Sequence, residues 1–195
     1  MKFDVIIIGA GSAGMQVATA LQKAGCKTAL IGLGRSINEV EVKPYERLGG
    51  TLLIGDSVRE GLFENGRLKA VRTANLGAYL LEAEHFVLAT GKFLGGGLVA
   101  DMERVYEPLF GLDVIWDEDR SRWFDADFGA PQPFLSFGLK TDDQSRPSLG
   151  GRTVENLYAC GEILAGVSAV DGREAIAGSA AKVLSILTEE GHAEA

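Results

Sequence analysis

The stretch FDVIIIGAGSAGMQVATALQKAGCKTALI, residues 3–31, predicts a strand, a glycine loop, a helix and a second strand in that order. Residues 3–8 are an apolar, β-branched run without polar alternation, which is typical of a parallel strand buried on both faces. A helical spacing of apolar residues follows over 12–23 and stops at Gly25, and residues 27–31 supply the second strand. The stretch therefore predicts an α/β fold of the Rossmann type.

The glycine loop joins the first strand to the helix with the spacing G-x-G-x-x-G. Its three glycines serve a tight turn, close approach of the backbone to a pyrophosphate, and close packing of helix on strand. The free N–H groups and the positive dipole end of the helix would hold the phosphates of a nucleotide. The predicted phosphate-binding residues are Gly9, Gly11, Ser12, Ala13 and Gly14.

One element of the dinucleotide pattern is missing. An acidic residue is expected at the end of the second strand, where it would hydrogen-bond an adenosine ribose. Gly32, Leu33 and Gly34 stand there instead and are followed by Arg35. Gly32 is expected to line the nucleotide site, and Arg35 either meets a phosphate or is a solvated loop residue. The gap leaves ribose recognition without a residue and weakens an interpretation as a plain NAD site.

The composition is that of an ordinary globular domain. The chain has 195 residues, of which 46% are hydrophobic and 24% charged, and no apolar run approaches the length needed to span a membrane. The first strand begins at Phe3, which leaves no room for a signal peptide, so the cytoplasm is the expected location. A net charge of −8 argues against nucleic acid as a partner.

The reactive side chains form no catalytic or metal-binding pattern. Cys26 and Cys160 lie far apart in sequence without metal-ligand spacing, and we expect two reduced thiols. His85 begins an apolar strand and His192 lies near the end of the chain, so both are expected to be structural. We therefore predict neither a catalytic residue nor a metal ligand.

A small antiparallel β-meander is predicted over residues 50–84. Its strands are expected at 51–59 and 67–73, which are joined by a tight Asn-Gly turn, and at 78–82. The solvent face of this layer is charged, as expected for a half-exposed sheet.

Two later apolar strands each end in glycine. HFVLAT (85–90) runs into Gly91, and NLYACG (156–161) is followed by Glu162 and by a predicted helix over about 174–190. Small residues at such strand ends let a backbone approach a flat or phosphorylated group. The chain is thus predicted as one domain, with a nucleotide-binding core from 1–35, 85–100 and 155–190, the meander, and a β-rich insertion from 101–150.

The predicted insertion is aromatic and acidic. Eight of the fifteen aromatic residues lie between 101 and 137, including Trp116 and Trp123, among nine acids and three arginines. Aromatic residues on a partly polar surface are typical of protein interfaces. A subdomain that packs its own aromatic residues would have the same composition, and the sequence leaves both interpretations open.

With these segments in order, the chain resembles the two-dinucleotide-binding-domain flavoproteins. The matching pieces are GAGSAG, the meander, FVLATG and LYACGE with its following helix. Between about residues 48 and 156 it is more narrowly similar to the B-subunit of anaerobic glycerol-3-phosphate dehydrogenase, through ERLGGTLLIGD, HFVLATGKFLGGGLVA, EPLFGLDV, APQPFLSFGLKTDD, RPS and ENLYACG. The resemblance implies a glutathione-reductase-type FAD-binding core, in which a parallel sheet is joined to an antiparallel β-meander.

The resemblance also implies a cofactor and its binding residues. FAD is favoured because an adenosine end is needed to explain the Rossmann half, with FMN as the alternative because the B-subunit family is associated with it. The helix start at 172–176 would stabilise negative charge on a reduced flavin. Besides the glycine loop, the implied cofactor-binding residues are Val58 at the adenine, Thr90 and Gly91 near the cofactor, Gly161 and Glu162 at the ribityl-phosphate end, and Gly172 and Ile176 at the last helix.

Family members assemble with a catalytic flavin subunit and an iron–sulfur subunit, and they pass electrons toward a membrane quinone. In that family a much longer segment separates the second strand from ERLGG, whereas only about residues 36–46 remain here. The expected function is a flavin-binding subunit that relays electrons within such a complex, with membrane association only through partners. The alternative functions are a stand-alone small flavin oxidoreductase and a non-redox assembly subunit, and the alternative to the partner subunits is a homo-oligomer.

Overall fold

A seven-stranded sheet organises the chain, whose residues 1–34, 39–168 and 173–193 are described by a computed structural model. The first part contains β1 (Lys2–Ile8), α1 (Ser12–Lys23), β2 (Thr28–Gly32), α2 (Glu39–Arg47), β3 (Thr51–Ile54), β4 (Val58–Glu64), β5 (Arg67–Thr73) and β6 (Leu80–Leu88). The second part contains β7 (Val99–Ala100), β8 (Val105–Tyr106), β9 (Val114–Ile115), β10 (Gly138–Leu139), β11 (Ser148–Leu149), β12 (Arg152–Thr153), β13 (Leu157–Ala159) and α3 (Arg173–Ala193).

The predicted opening unit is confirmed. β1 and β2 pair in parallel, with Val5 opposite Thr28 and Ile8 opposite Ile31, and α1 connects them. From Val5 to Ile8, successive β1 residues are buried against opposite layers, which explains the continuous apolar run, whereas Lys2 and Asp4 before it are exposed. The predicted fold class, a Rossmann-like parallel sheet joined to an antiparallel meander, is also confirmed.

The sheet divides at β6. The hydrogen-bonded order is β3-β2-β1-β6-β5-β4, and β13 also pairs with β6. One edge of β6 pairs in parallel with β1 over its length from Glu82 to Leu88. The other edge is shared, since residues 80–82 pair antiparallel with β5 while residues 86–88 pair in parallel with β13. β6 is therefore common to the meander and to the parallel core.

The strands predicted separately at 78–82 and 85–90 are one strand of nine residues. The prediction was wrong because the hydrophobic pattern changes within it. Residues 81–84 alternate between buried and exposed, as in the half-exposed meander, whereas residues 86–88 are buried on both faces. Continuous pairing with β1 holds both halves in one strand.

The strand predicted at 51–59 is in fact two strands separated by a turn. Gly55 adopts a φ of +77°, and its N–H donates to the Gly32 carbonyl oxygen at 2.9 Å, which ends β3 beside β2. β4 then begins at Val58 and pairs antiparallel with β5, at the far edge of the sheet from β3. A glycine with positive φ lets the chain leave the parallel sheet and enter the meander within a few residues.

The sheet separates two apolar layers. On one face the β1 side chains Val5 and Ile7 pack with α1, with Tyr45 of α2 and with Val183 of α3. On the other face Ile6 and Ile8 pack against a larger cluster, which includes the meander residues Val58, Leu68, Val71 and Leu81 together with Trp123, Phe137 and Leu157. The helices thus cover one face, and the meander with the segment after it covers the other.

The segment predicted as a β-rich insertion contains two-residue strands and short 3₁₀ turns. Trp123 is buried, packs edge-to-face on Trp116 and Phe137 at centroid distances of 6.1 and 5.7 Å, and donates through Nε1 to the Asp117 carbonyl oxygen. The tryptophans therefore belong to the chain's own core. The exposed aromatic residues of the segment are Phe124 and Phe128.

Both cysteines are free thiols, as predicted. Cys160 is fully buried at the end of β13, and burial raises the pKa of its thiol to about 12. Cys26 is half-buried, and burial raises its pKa as well. Among the described residues, no helix is long and apolar enough to cross a bilayer.

The Asn156 side chain links the strands that meet at β6. Its side chain is 2% exposed, Oδ1 accepts from the Leu68 N–H at 2.9 Å, and Nδ2 donates to the carbonyl oxygens of Leu68 and Glu84 at 2.8 Å each. One amide thus joins β5, β6 and the start of β13.

Replacing this amide is expected to destabilise the fold. Asn156→Ala leaves one buried N–H and two carbonyl groups without partners, so we expect a loss of roughly 2–4 kcal/mol in the free energy of unfolding. Urea denaturation of the purified variants measures it. Gln144→Ala, at an exposed position, is the matched control and is expected to change stability by less than about 0.5 kcal/mol. Equal stability of the two variants would contradict the role given to Asn156.

Candidate functional site

A cleft of about 720 Å³ opens at the carboxyl ends of the parallel strands. The ends of β1, β2 and β6 contribute its floor, and the chain around β4, the start of the last helix and the end of β13 contribute its walls. This is the edge at which open α/β sheets bind ligands. The predicted site residues that line it are Gly9, Gly11, Ser12, Ala13, Gly32, Val58, Thr90, Gly91, Gly161, Glu162 and Ile176.

Gly14 is the predicted residue that the structure describes outside that lining. Gly14 lies in the first turn of α1, packed against Gly9. Arg35 and Gly172 lie outside the described residues.

The glycine loop brings three backbones into close contact. Gly9 has a φ of +112°, and a Cβ placed on it would lie 2.2 Å from the Ala89 carbonyl oxygen beyond β6. A Cβ on Gly14 would lie 1.9 Å from the Gly9 carbonyl oxygen. Neither position accepts a side chain, because such contacts are far inside van der Waals distance. The first and third glycines of the motif are therefore explained by the packing of the protein itself.

Gly11 has a different environment. A Cβ at this position would meet no atom of the described residues within 4 Å, and Gly11 faces the cleft. It is also the N-cap of α1, where no side chain in the described part of the chain satisfies the first N–H groups and no acidic residue lies in the first turn. The helix start therefore presents unpaired donors and open space together, which fits the pyrophosphate of a dinucleotide.

Alanine substitutions distinguish these two kinds of glycine. We expect Gly14→Ala to destabilise the chain without ligand by about 1–3 kcal/mol, because its Cβ overlaps the Gly9 carbonyl. Gly11→Ala is expected to keep the stability within about 1 kcal/mol and to weaken dinucleotide binding by about tenfold or more, because its Cβ fills the space beside the helix N-terminus. Urea denaturation and equilibrium titration with FAD test both statements. Equal effects of both substitutions on stability would contradict this division.

The opposite wall is built where β6 and β13 end. The Thr90 hydroxyl is buried, and no residue in the described part of the chain is its hydrogen-bond partner. On the same wall, the Gly161 N–H donates to the Ser179 hydroxyl at 2.8 Å, and that hydroxyl donates to the Ile176 carbonyl oxygen at 2.7 Å. Ser179 thus ties the first turns of α3 to the end of β13, beside Glu162.

Glu107 also lines the cleft. It is one of the nine acids of the aromatic segment, and its carboxylate is buried. Glu107 is 1% exposed and accepts hydrogen bonds from the N–H groups of Leu109, Phe110 and Leu112 at 2.9, 2.7 and 3.3 Å. It therefore organises the loop that follows Pro108 at the cleft wall. Burial raises the pKa of Glu107, and the backbone donors oppose that shift. EPLFGL carries no periodic signal, so its burial could not be inferred from spacing.

The raised pKa fixes how Glu107 contributes to stability at different pH values. The unfolded chain releases this proton near 4.5, the ordinary glutamate value, whereas the folded chain retains it to higher pH. The contribution of Glu107 to the free energy of unfolding is therefore fully present below the ordinary glutamate pKa, and it is lost as the pH rises through the pKa of the folded chain. We expect the stability advantage of the wild type over Glu107→Gln to shrink as the pH rises from about 4 to 7, as measured by urea denaturation.

Asp113 provides a control of opposite sign. A hydrogen bond from the Ser148 hydroxyl, together with those from the Gly151 and Gly150 N–H groups, holds the pKa of Asp113 below its usual range. The wild type should therefore lose its advantage over Asp113→Asn as the pH falls. A pH-independent difference for Glu107→Gln, or one that grows with pH, would overturn the assignment.

Two protein families match parts of this chain. The FAD binding domain model matches residues 44–180, and the glucose inhibited division protein A model matches residues 4–51. The chain is also similar to the B-subunit of anaerobic glycerol-3-phosphate dehydrogenase from Vibrio cholerae serotype O1 (strain M66-2), with 41% identity over 140 residues. The same protein of Vibrio vulnificus (strain CMCP6) is 40% identical over 141 residues. These alignments cover 71% of the chain, which spans 32% of the length of either relative.

Solved structures share the fold at low sequence identity. A thioredoxin reductase from Gloeobacter violaceus superposes with a TM-score of 0.58 at 12% identity, covering 100% of this chain and 97% of that one. THI4 from Thermovibrio ammonificans gives a TM-score of 0.58 at 14% identity, covering 98% of this chain and 90% of that one. The arrangement of sheet, meander and helices described above is thus found in other proteins.

Proposed function

We propose, since the chain belongs to the FAD binding domain family, that it holds FAD in the strand-end cleft and serves as a redox subunit. The observation that carries this proposal is the convergence of the strand ends at Gly9, Thr90 and Gly161 on one glycine-lined cleft beside an uncapped helix N-terminus. FAD is therefore the cofactor, ahead of the FMN alternative. When bound, the flavin would supply the chemistry of electron transfer between a donor and an acceptor.

The chain's own residues bind and orient this cofactor. The N–H groups at the start of α1 hold the pyrophosphate, and Gly11 leaves room for it. The Val58 backbone contacts the adenine at the start of the meander. Thr90 offers its unpartnered hydroxyl, and the β13 end with Glu162 borders the ribityl-phosphate portion.

The start of α3 has an electrostatic role in this proposal. A helix N-terminus stabilises nearby negative charge, and Ile176, the fourth residue of α3, lines the cleft. Ser179 holds this turn against Gly161, so the dipole is fixed relative to the end of β13. The helix thereby favours the anionic charge of a reduced flavin.

We further propose that the chain relays electrons within a dehydrogenase complex instead of oxidising a substrate alone. The similarity to the B-subunit of anaerobic glycerol-3-phosphate dehydrogenase supports this role, together with the short connection of 36–46 between β2 and ERLGG. The partners would be a catalytic flavoprotein and an iron–sulfur subunit, or a second copy of the chain. The proposed location is the cytoplasm, at the membrane face through those partners.

The first test is the cofactor content of the purified chain. We expect a yellow preparation, from which denaturation releases FAD in an amount close to one per chain, as measured by absorbance and chromatography. Gly11→Ala, purified in parallel, should carry less FAD. A colourless chain that takes up neither FAD nor FMN would contradict the proposal.

The relay role is tested by turnover. The isolated FAD-loaded chain should not oxidise glycerol 3-phosphate with a soluble dye as acceptor. When the chain is combined with a flavin subunit and an iron–sulfur subunit of the related dehydrogenase, we expect it to take part in electron transfer to the dye. Turnover of a donor by the isolated chain would replace the relay by a stand-alone oxidoreductase.

A further inference from the structure

We infer that the Asp56 carboxylate hydrogen-bonds a hydroxyl of the adenosine ribose of FAD, in place of the acidic residue absent from the end of β2. This inference rests on the proposed function, because it concerns the adenosine half of the same site. It assigns ribose recognition to the turn that follows β3, the strand beside β2.

Packing explains why the end of β2 carries no acid at Gly32. A Cβ on Gly32 would lie 2.5 Å from the Ala10 Cβ and 2.8 Å from the Ala10 nitrogen, inside the glycine loop. A Cβ on Gly34 would lie 2.9 Å from the Ile54 Cγ2 and would also require an unfavourable positive φ. Close contact between this strand end and its neighbours therefore excludes a carboxylate from both glycine positions, and the exposed residue between them is Leu33.

Asp56 lies beside this gap. β3 pairs in parallel with β2, so that Ile54 is opposite Gly32, and the Gly55 N–H donates to the Gly32 carbonyl oxygen at 2.9 Å. Asp56 follows directly, and it lines the cleft together with Gly32. The Asp56 carboxylate, which follows the neighbouring strand β3, thus lies at the sheet edge where a Rossmann site recognises ribose.

The carboxylate is held in place before any ligand binds. Asp56 is 3% exposed, and its Oδ1 accepts from the N–H groups of Ser57 and Asn75 at 2.8 and 3.0 Å. The Asn75 side chain donates to the Gly55 carbonyl oxygen at 3.1 Å, which clamps the turn from the meander side. An acceptor fixed in this way binds a hydroxyl without losing further conformational freedom.

One oxygen of this carboxylate remains for a ligand. Both donors go to Oδ1, and within residues 1–34, 39–168 and 173–193 no group donates to Oδ2. A carboxylate that is almost fully buried is stabilised when each oxygen has a donor. A ribose hydroxyl supplies a donor of the right kind, and a phosphate does not.

The ribose contact is tested on the wild-type chain freed of bound FAD, with ADP, 2′-deoxy-ADP and 3′-deoxy-ADP as probes. ADP carries the pyrophosphate and adenosine portions of FAD, and isothermal titration gives the three dissociation constants. We expect at least one deoxy analogue to bind roughly tenfold or more weakly than ADP, as for a lost hydrogen bond to a charged group. Equal binding of all three would overturn the inference.

The residue is tested with Asp56→Asn, which retains Oδ1 for the two backbone donors and replaces Oδ2 by an amide donor. This variant should bind FAD roughly tenfold or more weakly and lose the preference for ADP over its deoxy analogues. Asp113→Asn is the matched control, because Asp113 also accepts hydrogen bonds from a turn but lies outside the cleft lining. Its FAD affinity should equal that of the wild type.

The outcomes separate the two proposals. A wild type that binds FAD with full discrimination among the ADP analogues, together with an unchanged Asp56→Asn, would overturn the Asp56 assignment and leave the FAD site intact. A wild type that binds neither FAD nor ADP would overturn the proposed function and this inference with it. The analogue series decides the ribose contact even if Asp56→Asn folds poorly.

Discussion

The structure depends on one close approach, in which the backbone at Gly9 lies against both α1 and the end of β6. Side chains are excluded at Gly9 and Gly14 by carbonyl oxygens about one bond length too near. Because Gly9 also donates its N–H to Ile31 at 2.8 Å, and Ala89 donates to Ile8 at 2.7 Å, the loop fixes three strand ends relative to one helix start. The cleft is a consequence of this contact, since its floor is the surface of these four elements.

Around that contact, the site gathers residues from each layer of the fold. The helical layer contributes the N-terminus of α1 and the first turns of α3, while the meander contributes the turn from Asp56 to Val58. The segment after β6 contributes the loop held by Glu107. Binding and redox roles thus need no cluster of catalytic side chains, because the protein supplies donors, a dipole and a shaped space, and the chemistry belongs to the cofactor.

The sequence predicts best what is determined locally. The bounds of α1, the glycine loop and the parallel partner β2 follow from residues close together in the chain. The strand limits at 51–59 and 78–90 were wrong because they depend on pairing between distant segments, which periodicity does not report. Trp123 and Glu107 lie in a segment whose composition is typical of a surface, yet both are buried. Trp123 packs against the Phe137 ring, and Glu107 accepts a hydrogen bond from the Phe110 N–H. Asp56 ends the quoted stretch ERLGGTLLIGD, but the sequence assigned it no role, because only the register of β3 on β2 brings it beside Gly32.

The sharing of β6 among β1, β5 and β13 also bears on the order of folding. Parallel pairing joins segments that are far apart in sequence, and such contacts form late because loop closure has to precede them. During synthesis, β1 and α1 leave the ribosome long before their partner β6, and β13 follows later still. The amino-terminal half therefore cannot complete the cleft as it emerges. Cofactor capture belongs to the final stage of chain assembly, when Gly161 reaches the loop that was made first.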